Sequence, residues 1–197
     1  GVPGGTDEVE IDNGGTAQVT GTVANSASTY IGRNASGNLD VNGGGTLTIN
    51  GTFASIARSA GSTGAISVDG TGTTFSVVNV FDVGYGGSGT LTVTDDAAVS
   101  VHHLNLGRNA GSSGTMTVSG GASVSVNSLW IGDLADSVGA LTVSGGASVS
   151  ASVSMRVGVV GTGELSVSGG ASVSVSGELD IGDRPGSSGT MTVTSGA

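Results

Sequence analysis

Gly114-Thr115-Met116-Thr117-Val118-Ser119-Gly120-Gly121-Ala122-Ser123-Val124-Ser125-Val126, followed by Leu129-Trp130-Ile131-Gly132-Asp133, decides the fold. Apolar residues alternate with Ser, Thr or Asn. This is the period of two that belongs to strands with one buried face. The same unit recurs on both sides of this stretch. Its first apolar anchor falls at Val9, Leu39, Ile66, Leu91, Met116, Leu141, Leu165 and Met191, in steps of 30, 27, 25, 25, 25, 24 and 26 residues. A fixed period near 25 residues is the signature of a solenoid, in which each coil buries its apolar face only by stacking on its neighbours.

The anchors extend into columns. The second column reads Ile11, Val41, Val68, Val93, Val118, Val143, Val167 and Val193. A middle-strand column reads Val19, Ile49, Val77, Val101, Val126, Ala151 and Val175, and a third-strand column Ile31, Ile56, Val83, Leu106, Ile131, Val157 and Ile181. The expectation is an all-β, right-handed parallel β-helix of about seven coils, each with three short strands. Residues 1–197 read as one array. Residues 1–38 form an irregular, partly capping first coil, residues 39–197 are regular coils, and the last unit stops mid-repeat after Met191-Thr192-Val193. A glycine opens the first strand of each coil at Gly37, Gly64, Gly89, Gly114, Gly139, Gly163 and Gly189, where positive φ in a sharp bend is expected. Gly120-Gly121, Gly145-Gly146 and Gly169-Gly170 follow the first strand, and Asp95-Asp96 takes their place in one coil. Asp95 and Asp96 are weak candidates for a cation site, since left-handed turn chemistry explains them well enough.

Glycine supplies 39 of the 197 residues and aromatics only 3 %, so Val, Leu and Ile columns and not interlocking rings must form the core. Fifteen acidic residues stand against five Arg and no Lys, a net charge of −10. That balance argues against nucleic acid and anionic lipid, both of which require clustered cations. With no cysteine, a disulfide framework and thiolate metal sites are excluded. Gly1-Val2-Pro3-Gly4-Gly5 lacks the pattern of a signal peptide, and no apolar run reaches a membrane span, so an export signal or membrane anchor is expected outside this segment.

The Gly114–Val126 and Leu129–Asp133 units resemble the repeats of autotransporter (type V secretion) passengers and of PEP-CTERM surface proteins of Gram-negative bacteria. The likeness is strongest from Gly86 to Ala197. It implies a right-handed β-helix displayed on or released from the cell surface, an adhesin, biofilm or virulence factor, or a stalk. Its partners would be a host-cell surface protein or glycan, or further copies of itself. No catalytic residue or cofactor accompanies the motif, so the expectation is a non-enzyme without cofactors. Two alternatives compete: a polysaccharide-active β-helix enzyme, which needs paired carboxylates beside a groove, and an ice-binding solenoid, suggested by Thr90-Leu91-Thr92, Thr115-Met116-Thr117 and Thr190-Met191-Thr192.

Partner contact is expected around the single tryptophan. Strand alternation turns Trp130 outward, in a column reading Tyr30, Ser55, Asp82, Asn105, Trp130, Arg156 and Asp180. Tyr30, Asn105, Trp130 and Arg156 are the candidate contact residues, with Arg156 one coil from Trp130 and able to stack on its indole. In the turn column Arg33, Arg58, Tyr85, Arg108, Asp133, Val159 and Asp183, an ion pair is expected between Arg108 and Asp133. His102 and His103 point to opposite sides of their strand, one at the surface and one at a corner.

Overall fold

Alternation produces strands throughout, and the glycine-rich breaks between them turn the chain back over itself once per repeat. The computed structural model describes residues 3–194 and residue 196, and among these there is no helix. The chain is a parallel β-solenoid with two sheets. One is eight-stranded and built from the first strand of each coil: Thr16–Thr20, Ser36–Asn42, Thr63–Asp69, Ser88–Thr94, Ser113–Val118, Val138–Val143, Thr162–Val167 and Ser188–Val193. The other is 11-stranded and contains Glu8–Ile11, Val23–Ser26, Ser28–Ile31, Thr46–Ile49, Phe53–Ile56, Thr74–Val83, Ala98–Leu106, Ser123–Ile131, Ser148–Val157, Ser172–Val175 and Glu178–Ile181.

From Leu39 onward the columns are in register. Leu39, Ile66, Leu91, Met116, Leu141, Leu165 and Met191 pair in succession across the first sheet. Ile31, Ile56, Val83, Leu106, Ile131, Val157 and Ile181 do so in the second. Their side chains meet between the sheets and, away from the two ends, are almost wholly buried. Stacking like on like lets each coil use the same rotamers as the one below. Phe75 and Phe81, edge to face at 5.4 Å, fill the interior where one coil carries rings in place of aliphatic residues.

Two expectations about strands are corrected. In four central coils the second and third strands are one continuous strand. A local bend at His102, at Asn127, and in the 78–79 and 152–153 segments separates its halves and shifts the register by a residue between some neighbours. The first coil is also assigned differently. Val9 pairs with Thr29 and Ile11 with Ile31, so Glu8–Ile11 is a third strand. Ala17 and Val19 pair with Leu39 and Val41 and occupy the first-strand columns. In the middle-strand column, Ser26 and not Val19 stands beside Ile49.

The glycines at the starts of the first strands have a different role from the one expected. None of Gly37, Gly64, Gly89, Gly114, Gly139, Gly163 or Gly189 has positive φ. The left-handed residue is the one that follows the third strand in every coil after the first: Gly32, Ala57, Gly84, Gly107, Gly132, Gly158 and Gly182, with φ between 55° at Ala57 and 73° at Gly158. The two columns meet backbone to backbone. A Cβ on Gly114 would overlap the Val83 carbonyl oxygen and the Gly107 nitrogen, and one on Gly139 would overlap Leu106 O.

Two mutational outcomes follow. Gly114→Ala should cost more than roughly 3 kcal/mol, since backbone must move to admit the methyl. Gly146→Ala has φ 76° but open space around it and should cost only about 1–2 kcal/mol of backbone strain. Urea unfolding that found the two equal would remove the close-approach argument. Val118→Asp places an unpaired charge in a fully buried column and should cost about 3–5 kcal/mol, whereas Thr117→Asp on the outer face should stay within roughly 0.5 kcal/mol. Equal denaturation midpoints for this pair would reverse the inward and outward assignment.

Candidate functional site

The outer face of the third strands and the turn beyond it collect the arginines and the four aromatic residues that are not in the interior. Three columns build it. The central one is Glu10, Tyr30, Ser55, Asp82, Asn105, Trp130, Arg156 and Asp180, in unbroken register. Two residues earlier in the strands run Phe53, Val80, His103, Ser128, Ser154 and Glu178. The turn just beyond the strands supplies Arg33, Arg58, Tyr85, Arg108, Asp133 and Asp183, with Arg184 following. All five Arg, both Tyr and the only Trp of the chain therefore lie on or beside one face.

Long arginine side chains fold back from the turn over the central column. Arg33 lies 4.7 Å from the centre of the Tyr30 ring, and Arg58 lies 5.1, 4.9 and 5.3 Å from Tyr30, Phe53 and Tyr85. Arg108 covers Tyr85 at 5.6 Å. Phe53 meets Tyr30 at 6.2 Å and Tyr85 edge-on at 5.6 Å. Guanidinium planes and rings thus alternate along the rod for three coils, each contact adding about 0.5–1 kcal/mol.

Beyond Tyr85 the ladder becomes ionic. Arg108 Nη1 reaches both oxygens of Asp82 at 3.2 and 2.9 Å, and Asn105 Nδ2 donates to Asp82 Oδ1 at 2.5 Å. Asp82 is 0 % exposed, and its burial pushes the carboxyl above the usual range although Asn105 and Arg108 pull the other way. Trp130 follows, flanked by His103 edge to face at 4.6 Å and by Arg156 at 5.5 Å from its ring. Burial holds His103 below the ordinary histidine value. At the far end Arg156 is drawn to Asp180 at 3.2 Å, Glu178 at 3.5 Å and Asp183 at 3.7 Å. The Asp180 contact is close enough for charge attraction but too misaligned for Nε to make a hydrogen bond.

This arrangement corrects several expected contact residues. The column order and the stacking of Arg156 on Trp130 are as expected, but Trp130 does not stand free in solvent. It is half-buried, its Nε1 sealed and without a partner, because alternation gives the side of the sheet and not what else lies over that side. Asn105 is 1 % exposed and Tyr30 9 %, so Asn105 offers no contact area and Tyr30 only an edge. Arg108 pairs with Asp82 and not with Asp133, since a fully buried carboxylate gains more from a cation than a partly solvated one. His102 is exposed and His103 packs on Trp130. Phe53 was not singled out by sequence reasoning. The signal for it was there: an aromatic residue five positions before Arg58, in the repeat site that His103 takes five before Arg108.

Asp95 and Asp96 lie on another corner, at φ 52° and 63°, in line with Gly120-Gly121. Asp96 accepts a hydrogen bond from Thr71 Oγ1 at 3.3 Å. Among the described residues no three His, Asp or Glu side chains gather as metal ligands. No family model, curated protein or solved structure matches the chain.

Asp133 provides a test of the electrostatics. It is 9 % exposed, and burial raises its pKa against the pull of Arg108 and Arg184. A carboxyl with a raised folded-state pKa destabilises the fold fully above that pKa, and the penalty disappears below the unfolded value. Asp133→Asn should therefore stabilise the chain at neutral pH by roughly 1 kcal/mol, the scale of a poorly paired buried group. The gain should vanish as pH falls below the ordinary carboxylate range. Urea titrations at several pH values giving a constant difference would contradict this.

Proposed function

We propose that this chain is a non-catalytic passenger segment of a secreted or surface-displayed bacterial protein, and that the third-strand face is its adhesive surface. The observation that carries the reading is the gathering of arginine, tyrosine and tryptophan on one face of a rod whose other surfaces are mostly small residues, chiefly Ser, Thr and Gly with scattered acids. Aromatic and arginine side chains dominate binding hot spots, whereas small hydroxyl residues contribute little contact area. The fold supplies a stiff support, since each coil is fixed to its neighbours by two parallel ladders. A host-cell or neighbouring-cell glycan or surface protein is the partner proposed, with self-association through the same face as the other arrangement of that surface.

The enzymatic alternative receives less support. Glycoside chemistry needs two carboxylates about a space that substrate can reach. Asp82 is sealed, and Glu8 and Glu10, which line a cavity at the N-terminal end, both bind Arg33 Nη1, at 3.1 and 3.0 Å. The ice-binding alternative needs a regular Thr array. On the first sheet one outward column runs Thr90, Thr115, Ala140, Glu164 and Thr190 and is broken by Ala140 and Glu164; the other begins at Asp40 and continues as Ser67, Thr92, Thr117, Thr142, Ser166 and Thr192, so only a single hydroxyl row, and not a two-row Thr array, is regular.

The test is adhesion of beads coated with the chain to epithelial monolayers and to a glycan array. Tyr85→Ala, which strips a half-buried ring from the face, should reduce attachment by about tenfold or more, as loss of a hot-spot aromatic does. Thr92→Ala with Thr117→Ala on the first sheet should leave it unchanged. Equal attachment by both proteins would move the contact surface elsewhere.

A further inference from the structure

The strongest unexplained feature of the face is Arg58. Arg33 is engaged by Glu8 and Glu10, Arg108 by Asp82, and Arg156 by Glu178, Asp180 and Asp183. Arg58 sits among three aromatic rings, and no ion pair or side-chain hydrogen bond joins it to any described residue. Its Nη1 is sealed from water and unpartnered, while Nε and Nη2 are not sealed. The guanidinium borders a cavity of about 280 Å³ lined by Tyr30, Phe53, Arg58, Val80, Tyr85 and Arg108. No acid lines that cavity, although the chain as a whole carries a charge of −10.

We infer that this cavity receives the carboxylate of a uronic-acid residue in a glycan, an inference that rests on the third-strand face being the contact surface. Contact with three rings confines the guanidinium and leaves donation to its unsealed Nε and Nη2. The Nε and Nη2 hydrogens form a fork that matches a carboxylate with two parallel hydrogen bonds. Arg33, Arg108 and Arg156 are already neutralised and Arg184 lies beyond the last third strand at the far end of the rod, so an anion arriving at the aromatic part of the face meets Arg58 as a guanidinium without a counter-charge. The volume is near the lower limit of about 300 Å³ for small-molecule sites, which suits a single sugar ring and not a long chain held end to end. Half-exposed faces of Phe53 and Tyr85 offer apolar surface for the ring of the sugar, and the Ser128 and Ser154 hydroxyls continue along the same face. An acidic peptide is less well served. Addition of an extended peptide to a sheet edge is closed here, since the strand beside Arg58 is already paired on both sides.

The test titrates the whole chain with a β-1,4-linked mannuronate trimer, the neutral β-1,4-linked mannose trimer and triglutamate. The Arg58 Nε–H resonance is followed, and affinities are measured calorimetrically. The mannuronate trimer should shift the resonance, and Arg58→Gln should weaken its binding by about tenfold or more, as loss of a charge-assisted pair does. Added salt should weaken it too, and the other two probes should leave the resonance in place. Arg58→Lys keeps the charge but loses the planar fork, and should also bind several-fold more weakly. Should the Gln variant melt early, the wild-type resonance and the Lys variant decide the matter. Equal binding of the neutral trimer, a triglutamate response, or no response to mannuronate each overturn the uronate site. If Tyr85→Ala still abolishes bead adhesion in that event, the face remains the contact surface and only its ligand class is wrong.

Discussion

The close approach of two glycine columns at one corner sets everything else in this solenoid. After the first coil, the residue following each third strand turns with positive φ, and the next first strand begins with a glycine laid against it, backbone to backbone. No side chain fits between them. The pairing recurs once per coil, so it fixes where each coil closes and which residue of the next coil lies above which residue of the last. Register over the rod is thus decided by steric exclusion at a corner, and the hydrophobic columns follow from it. Ala57 is the single exception among the turning residues. It adopts φ 55° at a cost of about 1–2 kcal/mol, with its methyl wholly buried.

The same corner creates the functional face. One residue past the turning residue, the chain carries Arg33, Arg58, Tyr85 or Arg108, all close to the outward column of the third strand. A long side chain at that place reaches back over the strand without bending the backbone. Coil after coil therefore delivers a guanidinium or a ring to the same side of the rod, one strand spacing above the last, and contact between adjacent coils becomes automatic. Short residues at that site, such as Val159, interrupt the ladder, and there the arginine comes from the strand itself at Arg156.

From Leu39 onward the inward columns were legible in the sequence because burial leaves a period of two and the corner leaves a period near 25. The first coil was not. Val9 and Ile11 carry the same alternation as a first strand, and alternation cannot distinguish one strand of a coil from another. Pairing does: the true step from Ala17 to Leu39 is 22 residues, where the anchor at Val9 implied 30. Trp130 failed for a different reason. A column read from sequence shows which side of the sheet a residue occupies but not that His103 and Arg156 close over it. The ion pair of Arg108 failed because a turn residue has acids both up and down the ladder. The choice of Asp82 depends on depth of burial, a property of three columns together.

Charge is distributed unevenly along the face, and this follows from where the acids sit in the repeat. Glu8 and Glu10 lie in the strand beside the ladder's first arginine, and Glu178, Asp180 and Asp183 surround Arg156 near the other end. Each end is therefore neutralised by residues of the neighbouring coil. In the middle, the sites next to Arg58 hold Ser55, Phe53, Val80 and Tyr85, none of which carries charge. Desolvation by rings makes an unpaired cation there costly, yet cation–π contact with three rings offsets part of that cost and confines the guanidinium. A strongly acidic rod thus presents one confined, uncompensated cation midway along its most aromatic surface. That is the property a binding site for an acidic ligand requires and a purely structural ladder does not.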